Sequence, residues 1–349
     1  MLRPRDVFVA ALRGEKTPYT PIWLMRQAGR YLPEYRQVRE KYSFLEMCRL
    51  PDVAAEVTLQ PLRRFELDAA ILFSDILIPL PPMGIKLDFY ESKGPVIENP
   101  VRKLQDIEAL RVPDPYEDIG FVAEAIKLIK QELKDEKALI GFAGAPFTLA
   151  SYVVEGGHSK NYIKVKQLMW NEPGTFDLLM EKITSTIIGY LSMQLEAGAD
   201  VVQLFDSWIG ALSPVDFETK ALPYINRIFE ALKKYKRPTI YFGTMTAGFL
   251  KLISQVRSSA AGVDWRVNID EAWDMIGHQK AIQGNLDPIV LYAEGEVIKS
   301  KAEEILLRVG NRPGHVFNLG HGLTPETPID SVKLLVDFVH ERSVEIRNA

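Results

Sequence analysis

The chain has 349 residues, 47% of them hydrophobic and 25% charged, with a formal net charge of -4, which is ordinary globular composition with ample material for a core. So small a charge gives no general affinity for nucleic acid or for an anionic membrane, so an anionic ligand would have to be gripped by locally placed arginines. Cys48 is the single cysteine, which rules out an intrachain disulfide and a cysteine-based metal cluster. No stretch approaches the roughly 18 apolar residues of a membrane helix. The opening MLRPRDVFVAALRGEK lacks the cleavage site of a secretory signal, so a soluble, cytoplasmic protein is expected.

Short β-branched or aromatic runs alternate with longer helical patterns. The runs cover residues 21–25, 68–73, 138–142, 200–205, 238–242, 262–264, 281–283 and 315–319. Apolar residues at helical spacing fill 119–134, 176–197, 214–234, 246–258 and 291–309. Strands alternating with helices pair in parallel, because each must return to the same end. Eight such units predict an α/β architecture: a single-domain (β/α)8 TIM barrel over residues 1–349, with an open doubly wound sheet as the alternative. One segment departs from the repeat. Residues 86–90 and 94–97, joined by Glu91-Ser92-Lys93, predict a small β-hairpin inserted after strand two, and the proline-rich stretch before it reads as loop.

Ligands bind a barrel at the C-terminal ends of its strands. Those positions carry Arg26 and Arg30 after strand one, then Ser74-Asp75, then GFAGAPFTLASYVVEGG with Tyr152. Phe205-Asp206-Ser207-Trp208, Gly243-Thr244, Gly284-Asn285-Leu286-Asp287 and Gly320-His321-Gly322 follow strands four, five, seven and eight. Nearly all are polar, ionisable or glycine, as a catalytic face requires. Each has a bland alternative. The arginine pair could be a surface pair at a helix start, but planar guanidiniums beside small residues also suit carboxylates. Asp75 is either a helix cap or a ligand-facing anion, and the prolines after it argue against a helix in need of a cap. Tyr152 could pack under a loop, and Arg39 could lie on a solvated helix face. His321, between two glycines, is left uncovered for a ligand. Ser207 has no base beside it in sequence and reads as a hydrogen-bonding hydroxyl. The histidines make no metal-ligand spacing, and no phosphate loop or GxGxxG is present.

IWLMRQAGRYLPEYR, GFAGAPFTLASYVVEGG and FNLGHGLTPETP, together with LFSDIL and DSWIG, closely resemble the uroporphyrinogen decarboxylase family, over essentially the whole chain. The resemblance implies a carboxy-lyase of heme and tetrapyrrole biosynthesis. It would remove carbon dioxide from the four acetate side chains of uroporphyrinogen III to give coproporphyrinogen III, with no cofactor and no metal. It also implies a cytoplasmic homodimer with facing mouths. Matching residue by residue, Arg26, Gln27, Ala28, Gly29, Arg30, Arg39, Asp75, Tyr152, Ser207 and His321 would contact substrate. Asp75, Arg26 and Tyr152 would take part in catalysis, with Asp75 central. The chemistry fits these residue types: eight carboxylates need fixed cations, four inward pyrrole N–H groups need an anion, and a cationic intermediate needs that anion too. The rivals are a zinc-dependent methyltransferase, which one cysteine cannot supply with ligands, and a tetrapyrrole carrier without turnover.

Overall fold

The computed structural model describes residues 2–90 and 94–348. Nine strands are present among them: β1 (Ala69–Ile71), β2 (Leu87–Tyr90), β3 (Gly94–Ile97), β4 (Ala138–Gly144), β5 (Val201–Asp206), β6 (Thr239–Gly243), β7 (Ala260–Gly262), β8 (Ala281–Leu286) and β9 (His315–Leu319). Seven form one sheet in the order β1-β4-β5-β6-β7-β8-β9, and every neighbouring pair is parallel. These runs are buried on both faces, which is why they read as continuous apolar stretches rather than alternating ones.

The remaining stave, first in the chain, is the 21–25 run, reduced to a single bridging residue. Ile22 bridges Phe317 of β9 in parallel, and the Phe317 N–H donates to the Pro21 carbonyl (2.9 Å). On its other side the Asp68 N–H donates to the Ile22 carbonyl (2.9 Å), while the Ile22 N–H is taken by the Asp68 carboxylate (2.7 Å). A side chain thus completes what a longer ladder would supply. Both sheet edges are covered and the barrel closes, so the open-sheet alternative falls.

Some boundaries differ from the sequence expectation. The sixth stave lies at 260–262 rather than 262–264. Its Ala-Ala-Gly sequence lacks the β-branched residues of the other strands of its sheet, and its glycine is required because a Cβ on Gly262 would sit 2.8 Å from Cδ2 of Phe242. The helix expected over 214–234 is interrupted by a π turn, Phe217–Ala221, just before Pro223, whose missing N–H cannot continue a regular ladder.

The N-terminal helix Pro4–Leu12 packs its Val7, Phe8, Ala11 and Leu12 face against β1, β4, β8 and β9, closing the barrel at the N-terminal ends of the strands. Asp200, buried there, receives Arg5 (2.8 Å) and Lys130 (2.9 Å). At the opposite end the β2–β3 hairpin pairs antiparallel, from Leu87↔Ile97 to Tyr90↔Gly94. The expected turn residues Glu91, Ser92 and Lys93 lie outside the described residues. Val96 bridges Gly157, and the Ile97 N–H donates to the Gly156 carbonyl (3.0 Å). The hairpin is thereby fastened to the end of helix Pro146–Glu155, beside the mouth.

Candidate active site

The loop after the first stave is held open by its own residues. Gln27 is fully buried; its Oε1 accepts the Leu24 N–H (3.1 Å) and its Nε2 donates to the Ala69 carbonyl of β1 (3.0 Å). Its side chain is therefore committed to the fold. The turn it pins carries Arg26 in the left-handed region, φ 61°, an unfavourable conformation for a residue with a Cβ. The N–H groups of Ala28, Gly29 and Arg30 have no protein acceptor among the described residues. Free amides beside two exposed guanidiniums make an anion-binding surface.

The Arg26 stem lies across Gly322, where a Cβ would collide with its Cδ and Cγ. The second glycine beside His321 is thus explained by the arginine it lets pass. Burial raises the Tyr35 phenol's pKa, while the fields of Arg39 and Arg30 act to lower it, and the Tyr35 ring meets Phe73 at 5.7 Å. Arg39, on helix Pro33–Lys41, gives Nη1 to the Tyr42 carbonyl (2.9 Å) at the end of its own helix.

Asp75 follows β1 by four residues and does cap, though not an α-helix. Its Oδ1 accepts the Leu77 N–H (2.8 Å) in a turn that runs into the 3-10 segment Pro81–Met83. Its other oxygen has no protein donor among the described residues. Part of the residue remains open at the mouth, yet it sits deep enough that burial pushes its pKa up to about 6, against the Leu77 hydrogen bond and the field of Arg26. At neutral pH it is an under-satisfied anion aimed at no protein donor.

Tyr152, on helix Pro146–Glu155, is close enough for Asp75 to oppose its ionisation; burial is the larger cause, and its phenol stays protonated. Its ring stands 5.7 Å from Trp208, which also meets His158 at 5.2 Å and Tyr162 at 5.6 Å. A buried triad aims this wall. Thr148 Oγ1 donates to Asp206 Oδ1 (2.7 Å) and accepts the Trp208 N–H (3.1 Å), while the Tyr241 hydroxyl donates to Asp206 Oδ2 (2.9 Å). Burial raises Asp206 to about 6 despite both bonds. Ser207 stands between these anchors, its carbonyl taken by Thr244 Oγ1 (2.6 Å).

His321 is lowered to about 4, first by burial, then by Arg26 and Arg266, so it is neutral at working pH. Arg26, Asp75, Tyr152 and His321 therefore share one electrostatic neighbourhood. Sequence reasoning passed over Thr148, Tyr241 and Arg266. The last was hidden because placing the sixth strand two residues late consumed the mouth positions after it. Among the described residues no group of three His, Cys, Asp or Glu side chains gathers as a metal-ligand set.

The model of the family described as uroporphyrinogen decarboxylase matches residues 3–342. A protein named uroporphyrinogen decarboxylase from Carboxydothermus hydrogenoformans is 52% identical over 338 residues, 97% of each chain. One of the same name from Sorangium cellulosum is 50% identical over 335 residues, 96% of each. Among solved structures, a methyltransferase from Methanosarcina mazei superposes with a TM-score of 0.83 over 98% of this chain and 99% of its own, at 20% identity; that likeness is one of fold alone. Full-length matches at half identity, on a closed barrel whose mouth carries Arg26 beside the underpaired Asp75, leave a single assignment: the chain belongs to the uroporphyrinogen decarboxylase family.

Proposed function

We propose that this chain decarboxylates the acetate side chains of uroporphyrinogen III, leaving methyls and giving coproporphyrinogen III in tetrapyrrole biosynthesis, without cofactor or metal. The observation that carries the reading is Asp75, a carboxylate with one unclaimed oxygen set between Arg26 and Tyr152. Four pyrrole N–H donors converging on one point require such an acceptor, and few other ligands do.

Arg26, Arg30, Arg39 and the free amides of Ala28 and Gly29 hold carboxylates of the substrate. Gln27 serves by fixing the turn, since its side chain is bonded within the fold. Tyr152, Ser207 and neutral His321 donate hydrogen bonds that orient acetates and propionates. In each round a proton adds to the pyrrole ring next to the acetate, giving an iminium-like cation. The bond to the carboxylate then breaks, its electron pair neutralises the cation, and carbon dioxide leaves. The exocyclic methylene takes up a proton to become methyl and the ring gives its proton back, so each round consumes one proton. Ionised Asp75 stabilises the cation as it forms, a preorganised electrostatic contribution that removal typically shows to be worth a factor of about 10²–10³. Arg26 is a candidate donor because its field reaches Asp75, though an arginine pKa above about 12 makes it a weak acid.

The reading includes a cytoplasmic homodimer with facing mouths, for which sedimentation of the purified protein is the check. No helix among the described residues is long and apolar enough to cross a membrane. The deciding assay is anaerobic incubation of the EDTA-treated protein with freshly reduced uroporphyrinogen III. Products are then oxidised and separated by carboxylate number. Stepwise loss from eight carboxylates to four supports the proposal; binding without loss would replace it with a carrier.

A further inference from the structure

The segment Gly320-His321-Gly322 is enclosed from two sides. Arg26 lies over Gly322, and on the other side a Cβ on Gly320 would stand 2.6 Å from the Trp265 nitrogen and 3.0 Å from Asp264 Cα. The loop leaving β7 therefore flanks His321 opposite the Arg26 loop, and it presents a second guanidinium, Arg266. This side chain is unusually well fixed for one that keeps 43% of its surface. Its Nη1 meets Asp264 Oδ2 at 2.6 Å, and its guanidinium carbon lies 4.3 Å from the Trp265 ring centroid.

Asp264 is itself buried and accepts the Arg266 N–H (3.0 Å) and the Met245 N–H (2.7 Å). Asn285 Nδ2 holds the loop backbone through the carbonyls of Asp264 (2.9 Å) and Val267 (2.7 Å). Asp264 thus has two backbone donors besides the arginine. The Nε and Nη2 groups of Arg266 have no protein acceptor among the described residues. A guanidinium locked by an ion pair and a stacked ring loses little conformational freedom on binding an anion.

We infer that Arg266 is a substrate-binding residue that grips a carboxylate on the far side of His321 from Arg26. The inference rests on the decarboxylase reading. Eight carboxylates radiate from the macrocycle in all directions, and the wall carrying Arg26, Arg30 and Arg39 faces only some of them. Arg266 supplies a cation on the wall built by β7 and β8, and neutral His321 lies between the two as a hydrogen-bonding spacer.

The test compares steady-state turnover of uroporphyrinogen III by the wild-type protein, R266Q and R266K, with thermal unfolding of each. R266Q is expected to raise KM about tenfold while kcat falls less than about threefold, and to show a shallower rise of KM with ionic strength. R266K keeps the charge and the Asp264 ion pair but lacks the planar fork, so its KM is expected to lie between the two. A merely structural arginine would lower the unfolding midpoint without this split. Wild-type KM in both variants overturns the inference. Should R266Q not fold, R266K decides alone: KM raised about threefold supports the role, and wild-type KM overturns it. Failure of the wild-type protein to remove carboxylates would instead overturn the decarboxylase reading and this inference with it.

Discussion

Asp75 combines two properties that oppose one another. Burial raises its pKa to about 6, above the ordinary value near 3.9 in an unfolded chain. A carboxyl whose folded value is raised binds its proton more tightly in the native state. Its effect on stability is therefore absent below about pH 4, develops as an increasing penalty between about pH 4 and 6, and is complete at neutral pH. Asp75→Asn removes that penalty and keeps an oxygen for the Leu77 N–H. The expected result is a loss of at least about 100-fold in kcat with an unfolding midpoint at pH 8 equal to wild type or higher. Turnover near wild type would remove Asp75 from the mechanism. In the wild-type protein kcat/KM should rise with pH through about 6, as the free enzyme's carboxylate ionises; a flat profile there would count against it. Gly322 offers a second test at this scale. Its φ is not in the left-handed region, so the backbone tolerates alanine, and the cost of Gly322→Ala falls on Arg26. We expect kcat/KM to drop about tenfold or more with destabilisation of only about 1 kcal/mol, the latter measured by denaturant titration.

Among the elements, the β2–β3 hairpin bears most directly on the site. An isolated two-stranded hairpin is marginal in water, and this one is held by Val96 against Gly157 and by Ile97 against Gly156. Phe89 adds a ring contact with Phe44 at 4.8 Å. Gly157 has φ +149° and a Cβ there would stand 2.8 Å from the Pro95 carbonyl oxygen, so alanine must push the hairpin away. Gly157→Ala is expected to destabilise by roughly 1–2 kcal/mol and to speed hydrogen exchange at the Ile97 amide, whose acceptor is lost. KM should rise as well, because the helix bearing Tyr152 ends at this contact. Unchanged exchange at Ile97 would mean the hairpin is held elsewhere.

At the scale of the whole molecule, the two ends of the barrel divide the work. The C-terminal ends carry the underpaired carboxylate of Asp75, while the N-terminal ends hold a buried carboxylate with its partners in place. Asp200 is the clearest case of the latter: almost wholly buried, it takes Arg5, Lys130 and the Leu139 N–H (2.9 Å). Asp200→Ala removes the buried anion shared by Arg5 and Lys130 and leaves them the exposed Asp135, at 3.7 and 2.7 Å. A loss of about 3–5 kcal/mol in unfolding free energy is expected, with kcat of the remaining folded protein within about twofold of wild type. A selective loss of kcat would show that the floor is coupled to the chemistry.

The local pattern alone determined the parallel α/β barrel, the inserted hairpin and the polar face at the C-terminal ends of the strands. Strands buried on both faces must be apolar runs, helices between them must repeat at 3.6 residues, and a mouth must be polar. The long motif around Arg26 and Arg30 was legible for the same reason, since two arginines around Ala-Gly serve packing poorly. The contact that closes the barrel was not legible, because it depends on a carboxylate at Asp68 meeting the Ile22 N–H across 46 residues. Nor was the double use of Asp75 as both cap and open anion. The Arg26 stem passing over Gly322 depends on contacts some 300 residues apart in sequence. Thr148 and Tyr241 reach Asp206 across 58 and 35 residues, and the field of Arg266 reaches His321 from a different loop. Periodicity reports which way a residue points within its own element; only the packed barrel decides what it points at.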